Sequence, residues 1–163
     1  LKYMILLDKK RIQRTIKRIS YQILEEAGNQ KISLIGLNER GFSIARKIKG
    51  NLDKATGRYL FLKQLNSEDD STLELSYDEV QNSALFIIDD VIFSGGTMFK
   101  SIRKIKELSA FEKVFVVVLV DRGHRKYPIL ASIVGVDAPT KLNEQVELRL
   151  KDGAPNEVVL IEK

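Results

Sequence analysis

The stretch "ALFIIDDVIFSGGT", residues 84–97, limits the folds open to this chain more than any other feature. Ala84 to Ile88 form an apolar, branched run of the kind that lies inside a sheet covered on both faces. Two carboxylates, Asp89 and Asp90, follow at once and are expected at the tip of that strand, ahead of a Ser-Gly-Gly-Thr turn. A helical period then predicts a helix from about Thr97 to Leu108, with Ile102, Ile105 and Leu108 on one side. Two glycines let the backbone come close to a ligand, and Ser94 and Thr97 supply hydroxyls. The unpaired N–H groups at a helix start favour an anion, which completes a phosphate cradle. The turn lacks the closing Lys-Ser or Lys-Thr of a P-loop and the Gly-x-Gly-x-x-Gly of a dinucleotide site. Acids beside a bound phosphate would repel it. They are therefore expected to face the hydroxyls of a phosphorylated sugar, or a Mg²⁺ bound through those hydroxyls.

The rest of the chain supplies a sheet for this strand to join. Ile12, Ile16, Ile19 and Ile23 recur at helical spacing before Gly28, and "ISLIGL" (32–37) reads as a buried strand breaking at "NERG". A helix is expected from Phe42 to about Leu52, then strands at 58–65 and 113–120. Residues 66–83 are polar and acidic, and are expected to form a loop or lid with a short hairpin arm. "ASIVGV", "VELRL" and "VVLI" read as shorter strands at a sheet edge. Alternating strand and helix predicts an α/β fold, a parallel twisted sheet flanked by helices, in one domain over residues 1–163. In such a sheet, ligands lie beyond the carboxyl ends of the strands. The turns 37–41, 89–97 and 121–125 should therefore meet at one crevice.

Composition narrows the chemistry. The absence of cysteine excludes disulfides, thiolate metal sites and a cysteine nucleophile, and agrees with a cytoplasmic setting. No apolar run is long enough for a membrane-spanning helix, and no signal-like segment opens the chain. A net charge of +5 points to anionic partners such as phosphates, nucleotides or RNA.

"LFIIDDVIFSGGT" resembles the phosphoribosyl pyrophosphate (PRPP) signature of the type I phosphoribosyltransferases. "GLNERGFSIARKI" (36–48) and "LVDRGHRKYPILASIVGVDAPT" (119–140) resemble segments of the pyrimidine-operon attenuator and uracil phosphoribosyltransferase branch, in the same order. The resemblance implies transfer of 5-phosphoribose from PRPP to a nucleobase, uracil or a related pyrimidine, with Mg²⁺ as cofactor and pyrophosphate released. It implies that Ser94, Gly95, Gly96 and Thr97 hold the 5′-phosphate, and that Asp89 and Asp90 meet the ribose hydroxyls and, through them or water, the metal. Asn38, Glu39, Arg40 and Gly41 would form the pyrophosphate loop, with Arg40 as charge partner. Val120, Asp121, Arg122 and Gly123 would border the base. Family members commonly dimerise, so a homodimer or higher homo-oligomer is expected.

The chain departs from that family pattern in three places. Its lid region is shorter and lacks a Tyr-Arg before Asp69 and Asp70; Gly96 replaces an arginine; Asn38 and Glu39 replace lysine and threonine. Each change removes positive charge or a lid contact. A nucleotide-binding regulator with weakened catalysis is therefore the alternative reading.

Simpler roles stand beside these. The first acid of the pair is suited to capping a helix, Arg40 to closing a turn, and Asp69 and Asp70 to solvated loop positions. His124, the only histidine, has no second His or Cys nearby and reads as a loop or interface residue. Lys10, Arg11, Arg14, Lys17, Arg18 and Tyr21 share the side of the first helix opposite the isoleucines. That face suits RNA phosphates, but is also what the wet side of an amphipathic helix looks like.

Overall fold

The computed structural model describes residues 2–163. Its main sheet holds five strands in the order β3-β2-β4-β5-β6, all parallel: β2 (Lys31–Leu37), β3 (Leu60–Leu65), β4 (Ser83–Ile92), β5 (Lys113–Asp121) and β6 (Ile133–Asp137). Alternate side chains divide the core in two. Ile32, Leu34, Phe86 and Ile88 pack with α1 (Lys9–Ala27) and α2 (Asn38–Thr56) on one face. Ile35, Leu85, Ile87 and Val118 pack with Met98 of α4 (Gly96–Lys104) on the other. This double cover explains why β2, β4 and β5 read as unbroken apolar runs.

The isoleucine stripe behaves as its spacing requires: Ile12, Ile16, Ile19 and Ile23 of α1 are all buried. Asp8 caps the helix by accepting from the Arg11 N–H at 2.8 Å, and Gly28 ends it in a positive-φ conformation.

Several expected boundaries move. β4 runs on through both acids to Ile92, because Asp89, Val91 and Ile92 still pair with Val118, Val120 and Asp121 of β5. The acid pair thus lies within a strand, on the side where β2 has already ended at Leu37. α2 begins at Asn38 rather than Phe42, because Asn38 takes a left-handed φ of 56° that turns the chain into a helix at once. α4 stops at Lys104, since Ile105 turns away to bridge Leu73.

The expected edge strands separate. Only β6 joins the main sheet, whereas β7 (Glu144–Lys151) and β8 (Ala154–Glu162) form an antiparallel sheet with β1 (Lys2–Leu7), an element the pattern did not predict. Asp152 and Gly153, both at positive φ, make the tight β7–β8 turn, the conformation a two-residue hairpin favours.

The 66–83 region contains no hairpin. It is a strap lying along α4, with one bridge between Leu73 and Ile105 and a single helical turn, α3 (Tyr77–Val80), closed by a capping box of Ser76 and Glu79. Among the described residues, no helix is long and apolar enough to cross a membrane.

Candidate functional site

The chain leaves β2 to one side for β3 and then returns to the other side for β4, so the strand order reverses between β2 and β4. That reversal is where an open α/β sheet forms a crevice at its carboxyl ends. Here the crevice has a volume of about 320 Å³ and is lined by Asn38, Glu39, Arg40, Asp89, Asp90 and Thr97, with Leu37 and Val91. An adjoining cavity of about 180 Å³ runs from Asp89 along Ser94, Gly95, Gly96 and Thr97. Two of the three turns therefore meet as the sequence predicts.

Two helix starts flank the acids. α2 starts beyond Leu37 and α4 beyond Gly95, neither with a side-chain cap on its N-cap residue. Such ends carry partial positive charge and free donors. Gly95 adopts φ 85°, and the Gly96 N–H donates to Ser94 Oγ at 3.1 Å, so the turn is pre-shaped before any ligand arrives. Gly41 brings α2 against β4: a Cβ there would stand 2.6 Å from the Ile88 carbonyl oxygen and 3.3 Å from Asp89 Cα.

The two carboxylates differ. Asp89 is buried and accepts the Asp90 N–H at 2.8 Å, whereas Asp90 is partly exposed to the crevice. Burial, and then the charge of Asp90, push the Asp89 carboxyl well above the usual carboxylate range. The folded protein thus holds this proton more tightly than the unfolded chain. The stability Asp89 contributes is present below the ordinary carboxylate value of about 4 and is lost as pH rises through the elevated folded value. Asp89→Asn should accordingly raise the Tm at about pH 8 and change it little near pH 4. Equal shifts at both pH values, measured by calorimetry, would assign the effect to some other group.

Arg40 stands at the rim. Its Nε donates to the Leu148 carbonyl at 2.8 Å and its Nη2 lies 3.5 Å from Glu147 Oε1, which ties the start of α2 to β7. Glu39 is exposed.

The third turn takes another position. Asp121 is held by Arg125 at 2.7 Å, and Gly123 donates to Asp121 Oδ1. The Arg125 guanidinium, with the Gly123 N–H, holds the Asp121 carboxyl below its usual range despite partial burial. Arg122 is buried, stacks over Phe93 at 4.1 Å and donates to Thr140 Oγ1 at 2.9 Å. Neither Asp121, Arg122 nor Gly123 lines the crevice. Val120 lines a separate cavity of about 360 Å³ with Met4, Arg11, Val136 and Thr140.

The third turn instead braces the second. The Ser94 carbonyl accepts the Lys126 and Tyr127 N–H groups at 2.9 and 3.0 Å, and Arg125 Nη1 donates to the Phe93 carbonyl at 3.1 Å. Sequence reasoning misses this bracing role of Arg125, whose one signal is the doubled arginine of "DRGHR". His124 bonds the Thr140 carbonyl and tilts against Phe93, as a loop residue does.

The strap is fixed on α4 and on the segment that follows it. Lys100 pairs with Glu68 at 3.2 Å, Lys104 with Asp69 at 2.9 Å and Lys106 with Glu74 at 2.8 Å. The Ser71 hydroxyl and Lys104 hold the Asp69 carboxyl down to about 2. Asp70 and Tyr77 are exposed.

On α1, Arg18 turns to the carbonyls of Val134 and Gly135, and Arg11 Nη1 reaches the Leu6 carbonyl. The expected basic face is therefore partly spent on internal contacts.

Residues 2–149 match the phosphoribosyl transferase domain family. The chain belongs to this family. As a type I phosphoribosyltransferase domain, it is 36% identical to the bifunctional protein PyrR of Haemophilus ducreyi, with 96% of each chain covered. It is 32% identical to the bifunctional protein PyrR of Staphylococcus saprophyticus, covering 97% of this chain and 98% of that one. The domain also shares its fold with the hypoxanthine phosphoribosyltransferase of Trypanosoma cruzi, at a TM-score of 0.74 and 16% identity over 97% of this chain and 95% of that one.

Proposed function

We propose that the protein binds PRPP across the β2/β4 crevice and transfers 5-phosphoribose to uracil or a related pyrimidine, releasing pyrophosphate. The observation that carries this reading is the acid pair standing between two helix starts whose N-cap residues, Leu37 and Gly95, supply no side-chain cap. This arrangement suits a ligand with phosphate at both ends and hydroxyls in the middle.

In this reading Ser94, Gly95, Gly96 and Thr97 take the 5′-phosphate, and Asp89 and Asp90 meet the ribose hydroxyls. Asn38, Glu39, Arg40 and Gly41 take the diphosphate, with Arg40 offsetting its growing charge. Negative charge at Asp90 near the sugar favours an oxocarbenium-like state, so positioning and electrostatics suffice without a protein nucleophile. The base would border the Val120–Gly123 segment, which adjoins the phosphate turn through the pairing of Asp121 with Ile92 of β4.

The donor set also fits Mg²⁺. Among the described residues no three acids or histidines cluster, so the protein supplies no complete cage, but Mg²⁺ commonly takes one or two carboxylates plus ligand phosphates. Asp89 and Asp90 would hold it through ribose hydroxyls or water, and bound there it neutralises the leaving diphosphate. Residues 1–163 act as one domain in the cytoplasm, assembled as a homodimer or higher homo-oligomer.

A second reading, a nucleotide-binding regulator with weak turnover that acts on RNA, is favoured by one observation. The strap lies fixed against α4 and the segment that follows it by three lysine–carboxylate pairs. The deciding assay measures pyrophosphate release from PRPP and Mg²⁺ with uracil, cytosine, hypoxanthine, guanine, adenine and orotate, with PRPP binding measured in parallel. Turnover with uracil is expected. Binding without turnover on any base would select the regulator, and neither binding nor turnover would overturn both readings.

A further inference from the structure

Asn38 carries a left-handed φ of 56° at the point where β2 becomes α2. Asparagine tolerates this conformation better than most residues, but usually by bonding its own neighbouring backbone. Here the side chain reaches a residue 29 positions away instead. The Ser67 N–H donates to Asn38 Oδ1 at 2.9 Å, and Asn38 Nδ2 donates to Ser67 Oγ at 2.9 Å. Two opposed bonds fix both the position and the orientation of the amide. Ser67 is only 4% exposed, so water does not readily replace these partners.

Ser67 is itself held. The next residue, Glu68, pairs with Lys100, and Lys104 donates to the carbonyls of Asn66 and Asp69. Both lysines lie on α4, the helix that the Ser94–Thr97 turn opens. A continuous path therefore runs from Asn38 through Ser67 and the strap to the phosphate-turn helix.

We infer that Ser67 is a positioning residue, which clasps Asn38 and so holds the 38–41 loop in its diphosphate-binding conformation, in register with the phosphate turn. This rests on the diphosphate role proposed for that loop. The strap then serves as a frame between the two anion-binding elements.

The test is calorimetric binding of pyrophosphate and, separately, of uridine monophosphate, both with Mg²⁺. Ser67→Ala keeps the backbone bond and deletes the hydroxyl acceptor. Pyrophosphate affinity should fall about three- to tenfold, the usual effect of one lost hydrogen-bond acceptor, while uridine monophosphate affinity changes less than about twofold. Asn38→Gly supplies the second arm, because glycine takes positive φ without a clasp. In that background Ser67→Ala should cause no further loss of pyrophosphate affinity, a result that a general weakening of the fold would not give. If wild type binds both ligands and Ser67→Ala lowers neither, or lowers both equally, the clasp is overturned and the functional reading stands. If wild type binds neither ligand, the functional reading fails and the inference fails with it.

Discussion

Asp90→Ala is expected to cut PRPP affinity by about 100-fold or more. Asp90 lines the crevice and is partly exposed, so a ligand can reach it. Asp89 cannot stand in for it. That carboxyl is buried, is occupied by the Asp90 N–H, and is pushed toward its neutral form. The ribose hydroxyls would lose their accessible anionic acceptor, and hydrogen bonds to a charged group contribute about 1.5–3 kcal/mol each. Two of them correspond to roughly 3 kcal/mol or more, hence the factor of about 100. Calorimetry with PRPP and Mg²⁺ measures it, and unchanged affinity would remove Asp90 from the binding site.

Gly41→Ala should damage both fold and site. The new methyl would lie 2.6 Å from the Ile88 carbonyl and 3.3 Å from Asp89 Cα. Both neighbours are backbone of a central strand, which cannot swing aside as a flexible side chain would. The start of α2 must lift from β4, at an expected cost of about 2–3 kcal/mol, seen as a Tm drop of roughly 4–12 °C. Lifting it also carries Arg40 and Asn38 away from Asp89, so pyrophosphate binding should fall below detection. Gly50→Ala is the internal control. It lies in the same helix, where a methyl would meet nothing within 4 Å, and should be neutral or stabilising by about 0.5–1 kcal/mol. Equal Tm values for the two variants would show that the close approach at Gly41 is not what holds α2 in place.

The residues legible in the sequence are those whose neighbours lie close in sequence or whose burial is uniform. The Ile12-to-Ile23 stripe, the apolar runs of β2, β4 and β5, and the Ser94–Thr97 turn each carry their own local signature. β1 does not. Tyr3, Met4 and Ile5 are all more than half exposed, and the strand exists because it pairs with β8, Lys2 opposite Glu162. The strap reads as a lid with a hairpin because its acids look solvated. Their partners are lysines some 32 to 35 residues ahead, a relation no local period encodes. Arg122 shows the same limit. It sits in a polar turn at a strand end, yet Phe93 and Thr140 draw it inward and leave Val120 to open onto a cavity.

The bond from Arg40 to the Leu148 carbonyl spans 108 residues. The crevice itself is made by segments between residues 37 and 97. Arg40 acquires its anchor only after β7 has been made and the second sheet has closed. A chain cut before β7 would therefore keep every residue that lines the crevice and yet leave Arg40 without its anchor.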